Sequence, residues 1–189
     1  MKKRMWVAAL IVFAFTFNPS RAPSADSVPK TLEEMKEEVK LAPFRGLKGV
    51  NVLVEIVSDD ARRMGVTEEN LQTTAELCLR KANIPVLPMV PKQIEDSPPP
   101  SLYVHVELYI SDDKRIAYFS INVDLREGVM LERDPKTFVT ATTWTTGVIG
   151  IAKPTDGKRV KDNLVEHVEK FCNLYLAAGG KKTPTPTQP

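Results

Sequence analysis

The groups in this chain with chemistry to offer are few: two histidines, two cysteines and a scatter of carboxylates and serines. His105 and Glu107 flank Val106, and in an extended strand that spacing puts imidazole and carboxylate on one face. Such a pair can pass a proton or contribute to a metal site. A zinc deaminase would add a Pro-Cys-x-x-Cys segment, which the chain lacks, and two same-face residues of a strand pair by default. No metal is therefore expected. Ser120, His105 and Asp124 are the one nucleophile, base and acid set that can be drawn. It comes without a Gly-x-Ser-x-Gly elbow or an advertised oxyanion hole, so hydrolysis is the weaker expectation. His167 falls on the expected solvent side of the last helix, with no ligand set around it.

Cys78 and Cys172 each lie on the apolar face of a predicted helix. Two readings stay open: a single disulfide, if the helices bring the Cα atoms within about 7 Å, or two buried thiols acting as small hydrophobes. Apolar surroundings raise a thiol pKa, which argues against a nucleophile at either position. Asp59-Asp60-Ala61-Arg62-Arg63 offers charges of both signs but reads most simply as a solvated turn after a strand. No Gly-rich phosphate loop occurs, so neither nucleotide nor any other cofactor is expected.

These residues must be positioned by a small core. Of the 189 residues, 42% are hydrophobic and 26% charged, with a net charge of only +2. Acidic and basic residues are interspersed, as in Lys36-Glu37-Glu38-Val39-Lys40, leaving no basic stripe for successive phosphates. Nucleic acid is not an expected partner. Lys2-Lys3-Arg4 followed by the apolar run 5–17 and by small residues at 22–25 has the layout of a secretory signal over 1–25. The run is shorter than the roughly 20 residues of a spanning helix, so no stable membrane span is expected after cleavage. The absence of cysteine before Cys78 excludes a lipid anchor directly behind it. A periplasmic or secreted protein follows from this reading. Residues 26–45 form an N-terminal segment with a short helix, 46–178 a single α/β domain, and 179–189 a polar tail too poor in apolar residues to fold.

Within the domain, Thr31 and Glu34 form a capping box for the short helix. Residues 50–57 form a β-branched run whose nearly continuous apolar character predicts a strand inside the sheet. A helix opens at Thr67 and stops near Asn83, with apolar Leu71, Ala75, Cys78 and Ala82 at helical spacing. Residues 84–88 allow only a brief edge strand, because Pro85 and Pro88 lack ladder donors. Strands over 102–110, 116–131 and 137–148 follow, joined by turns at 111–114 and 133–136, with a bulge or bend at Gly128. A helix over 160–178 ends at Gly179-Gly180. The order β-α-β-β-β-β-α predicts an α+β two-layer sandwich: a mixed four- to five-stranded sheet with two main helices on one face. Alternation sends Val104, Val106, Leu108, Ile110, Phe119, Ile121, Val123 and Leu125 to the core. Tyr103, His105, Glu107, Tyr109, Tyr118, Ser120, Asn122 and Asp124 go to an open, polar and aromatic face. Alternation does not assign Trp144, because threonines occupy both faces of its strand.

The segments Gly46-Leu47-Lys48-Gly49-Val50 into Val52-Leu53-Val54-Glu55, and Leu79-Arg80-Lys81-Ala82-Asn83-Ile84-Pro85-Val86-Leu87, resemble an uncharacterised family of short exported bacterial proteins. The likeness runs over about 46–178 and transfers no functional residues. The element order also resembles the two-layer modules of the TolB amino-terminal domain and the lipopolysaccharide-assembly lipoprotein, a topological likeness only. The expectation is a non-catalytic binding or scaffold module of the cell envelope that meets a protein partner or envelope component on the open face. A second copy of the chain covering that face is an alternative. So is a small hydrolase or metal-dependent enzyme centred on the same face.

Overall fold

A computed structural model of the chain describes residues 31–89 and 99–179. The expected signal sequence, most of the proline-rich connection before Ser101 and the polar tail beyond Gly179 lie outside the described residues. Thr31 caps α1 (Leu32–Leu41) as its spacing predicts: its hydroxyl accepts from Glu34 N at 3.2 Å and Glu34 Oε2 accepts from Thr31 N at 2.7 Å. α1 buries none of its own residues. A 3-10 turn over Ala42–Phe44 then drives Phe44 into the core, 1% exposed, so the core also takes in chain ahead of Gly46.

β1 (Asn51–Ile56) runs parallel to β2 (Ser101–Ile110), and β3 (Ala117–Leu131) and β4 (Asp134–Ala152) add antiparallel in chain order. α3 (Glu68–Lys81) lies in the crossover that parallel pairing requires. It packs side by side with α4 (Gly157–Ala177) on one face of the sheet. The result is an open, mixed four-stranded α+β architecture.

β1 is an edge strand rather than the interior one its sequence predicts. Beyond it only Val50 finds a partner, a parallel bridge to Val86 through Val50 N to Pro85 O at 3.1 Å and Leu87 N to Val50 O at 2.8 Å. The expected fifth strand goes no further, consistent with the donors missing at Pro85 and Pro88. The apolar run of β1 reflects α3 covering Val50 and Val52 on one side, while Leu53 remains half-buried on the other.

Asp59–Arg63 is likewise not a solvated turn but a short helix, α2, capped by Ser58, whose hydroxyl accepts from Asp60 N at 3.0 Å. β1 has ended before β2 does, and the Asp60 carboxylate accepts from Ile110 N at 2.9 Å in place of a neighbouring strand. Arg63 pairs with the other Asp60 oxygen at 2.8 Å.

The bulge expected at Gly128 sits elsewhere. Gly128 pairs with Thr140, whereas the step from Leu125↔Trp144 to Arg126↔Thr142 leaves Thr143 of β4 as the extra residue. The hairpin closes as Leu131↔Asp134, two residues tighter than the expected turn at 133–136, and β4 continues to Ala152 rather than stopping at Val148.

Trp144 faces the core. Its ring lies 5.6 Å from Phe44 and 5.7 Å from Phe171 edge-on, and Phe171 stacks on Tyr175 at 6.5 Å. This cluster ties the N-terminal segment and β4 to α4, so Phe171→Ala should cost about 3–5 kcal/mol. Urea unfolding at unchanged m-value measures it; a loss below about 1 kcal/mol would mean that the cluster is not a structural anchor.

Candidate functional site

The face opposite α3 and α4 is uncovered among the described residues, and alternation delivers to it the residues the sequence predicts. Register arranges them in rows across the strands. Tyr103, Asp124 and Thr145 form one row; His105, Asn122 and Gly147 the next, with Glu55 of β1 beside His105; then Glu107, Ser120 and Ile149; then Tyr109, Tyr118 and Ile151.

Residues of the first two rows, with Glu55, Glu107 and Arg126, form a polar network. Glu55 Oε2 accepts from the Tyr103 hydroxyl and lies 3.4 Å from His105 Nδ1, while His105 Nε2 meets Glu107 Oε1 at 3.2 Å. Arg126 spreads over the Tyr103 ring, 3.4 Å from its centroid, and pairs with Asp124 at 3.6 Å. Asp124 also accepts from Thr145 Oγ1 at 2.7 Å. Asn122 lies across Gly147, where an added Cβ would come within 2.5 Å of its Oδ1.

This arrangement brings His105 and Glu107 together as their spacing predicts, but it does not assemble Ser120, His105 and Asp124. Both imidazole nitrogens face carboxylates of β1 and β2, and Asp124 is engaged by Thr145 and Arg126. No hydrogen bond among the described residues joins Ser120 to His105. Among the described residues no group of three or more His, Cys, Asp and Glu is placed to hold a metal ion.

At Ile149 and along the last row the face turns apolar and lies uncovered. Ile149 is 85% exposed, Tyr109 54%, Ile151 53% and Tyr118 47%. With Val57, Ser58 and Glu107, three of them, Tyr109, Tyr118 and Ile149, line a shallow depression of about 300 Å³. The Tyr109 hydroxyl donates to Asp112 at 3.2 Å, and the Asp112 charge raises its pKa, keeping the phenol protonated. Glu55, Arg126, Thr145, Ile149 and Ile151 escaped the sequence reading. Ile149 and Ile151 lie past the expected end of their strand, and Glu55 joins the face only through the parallel β1–β2 register.

The other histidine corrects an expectation outright. His167 is not on the solvent side of α4: it is 4% exposed, with Nδ1 2.8 Å from Thr146 Oγ1 of β4. α4 turns this position toward the sheet alongside Val160, Leu164, Val168 and Phe171. Cys78 and Cys172 are both free thiols, half-buried and buried, on facing stretches of α3 and α4.

No family model and no curated protein matches the chain.

Burial lowers the pKa of His167 below its ordinary 6.5, with Lys170 adding to the effect and Glu166 opposing it. The unfolded chain therefore binds this proton first on acidification. The stability that neutral His167 contributes is full above about pH 6.5 and is lost as pH falls from there toward the folded-state pKa. Relative to His167→Gln, the wild type should lose up to about 1.4 kcal/mol per pH unit over that interval. Parallel stability profiles of the two proteins below pH 6.5 would contradict the assignment.

Proposed function

We propose that the protein is a non-catalytic binding or scaffold module of the cell envelope, periplasmic or secreted, which receives a protein partner or envelope component on the open sheet face. The observation that carries this reading is the exposed row Tyr109, Tyr118 and Ile151, with Ile149 beside it, on a sheet face that no described element covers. Tyrosines and branched aliphatics that share an uncovered patch supply contact area with little loss of side-chain entropy, the composition of a recognition surface. Monomers that bind nothing seldom leave such a contiguous patch in water. The adjacent edge supports the same reading: from Thr137 to Ala152, β4 carries no charged side chain or proline to deter an added strand. The compartment rests on the signal-like residues 1–25. The enzymatic alternative has less behind it, because the only acid, base and nucleophile set on this face is not hydrogen-bonded into a relay.

The test is photo-crosslinking in the native cell, with a photoreactive residue at Tyr109 and a control at the exposed Lys170 of α4. A discrete adduct is expected from Tyr109 and not from Lys170, its yield dropping at least about tenfold in Ile149→Lys. His105→Ala should leave that yield within about twofold, since His105 is not among the residues that line the depression. Equal adducts at both positions, or an Ile149→Lys protein that captures as well as wild type, would overturn the reading. An adduct of twice the chain's mass would identify the partner as a second copy.

A further inference from the structure

The groove between α3 and α4, of about 430 Å³, has both cysteines in its lining together with Leu77, Val165, Glu169 and Leu176. Cys172 points its sulfur across the helix interface at the backbone of Cys78, with Sγ 4.0 Å from the Cys78 carbonyl oxygen. A disulfide needs Cβ atoms about 3.8 Å apart and Cα atoms within about 7 Å. The Cys172 thiol reaches the other cysteine's main chain, so the two residues are direct neighbours across the interface of α3 and α4. The two residues are 94 positions apart in sequence, so a bond between them would close most of the domain into one loop. The charged cluster of the open face, by contrast, pairs groups that neighbours already satisfy. The cysteine pair holds two reactive groups, each the other's natural partner.

We infer that Cys78 and Cys172 form an intramolecular disulfide that staples α3 to α4 when the protein meets a disulfide-bearing oxidant, and that Cys78 is the entry point. This goes beyond the binding role and does not depend on it. Cys78 is the more exposed of the pair and opens onto the groove. Its thiolate attacks one sulfur of the oxidant, forming a mixed disulfide and releasing one oxidant half as a thiol with the Cys78 proton. Cys172 then gives up its proton and attacks Cys78 Sγ. The second oxidant half leaves as a thiol, and two electrons have passed from the protein to the oxidant's disulfide. Burial pushes the Cys172 thiol up to about 12 and raises Cys78 as well. Thiolate is scarce at neutral pH, so the exchange is slow there and quickens as pH rises.

The experiment equilibrates the full chain, first reduced, with oxidised glutathione at pH 8, then alkylates under denaturing conditions and measures the mass. The expected product is monomeric, lighter by two hydrogens, free of alkyl groups at both cysteines, and yields a Cys78–Cys172 linked peptide on digestion. Cys172→Ala should instead accumulate glutathione on Cys78, while Cys78→Ala should leave Cys172 at least about tenfold less modified. The oxidised protein should melt roughly 10 °C above the reduced one. Two alkylatable thiols after equilibration, a chain-to-chain disulfide, or glutathione lodged on Cys172 in preference to Cys78 would overturn the inference. The wild-type mass result stands even if a variant fails to fold.

Discussion

Side chains alternate across a strand, and α3 and α4 bury only one of the two faces that this alternation creates. With Val104, Val106 and Leu108 of β2 and Phe119, Ile121, Val123 and Leu125 of β3 in the core, Tyr103, His105, Tyr109, Tyr118 and Asp124 have no choice of side. A slip of one residue in either strand would put valine and leucine in water and charge under the helices, at a cost of about 1.5–3 kcal/mol for each large apolar side chain exposed. The open face is thus held in register by side chains that never appear on it. Side chains can vary on that face without loosening the fold, because they contribute little to the packing beneath.

β4 meets the same constraint with different material. Its core-facing positions are Trp144, Thr146, Val148, Gly150 and Ala152, which offer less apolar bulk than β2 or β3. Gly150 is small because the Phe119 ring occupies the space: an added Cβ would fall 2.4 Å from its tip carbon. Thr146 is polar because His167 reaches it from α4. Buried polar groups are tolerated when paired, and either one left alone would cost more than the bond contributes. The α4–β4 seam therefore combines an aromatic cluster at one end with a hydrogen bond in the middle, while β2 and β3 rely on aliphatic side chains and the Phe119 ring.

The parts of this fold legible in the sequence are those that local periodicity encodes. The two long helices, the three antiparallel strands and the division of β2 and β3 into two faces follow from spacing alone. What escaped depends on pairing between distant segments. Glu55 becomes the partner of Tyr103 and His105 only because β1 lies parallel to β2 in one register. The edge position of β1 is a matter of strand order, which an apolar run does not encode. Asp60 looks like a turn residue until the unpaired amide of Ile110 comes within its reach. His167 reads as solvent-facing because it is a polar residue on a helix, and its partner Thr146 lies in a threonine-rich strand whose faces alternation does not separate. In that strand the extra residue at Thr143 also shifts the phase between its two halves.

The rows of the open face divide by what each can still offer a second molecule. Around His105 the charges already have partners: Glu55 and Glu107 face the imidazole, Asp124 holds Arg126 and Thr145, and Arg126 rests on Tyr103. A ligand competing for these groups must break contacts before making its own, so the net gain is small and the main consequence is orientation. Beyond Glu107 the balance reverses. Ile149, Ile151, Tyr118 and Tyr109 sit in water with only the Tyr109 hydroxyl engaged, and burying apolar surface there returns about 25 cal/mol for each Å² covered. A molecule bound across both ends would therefore draw its binding energy from the apolar end and its alignment from the polar one. The strands fix the distance between the two ends, because β2 and β3 run unbroken beneath both.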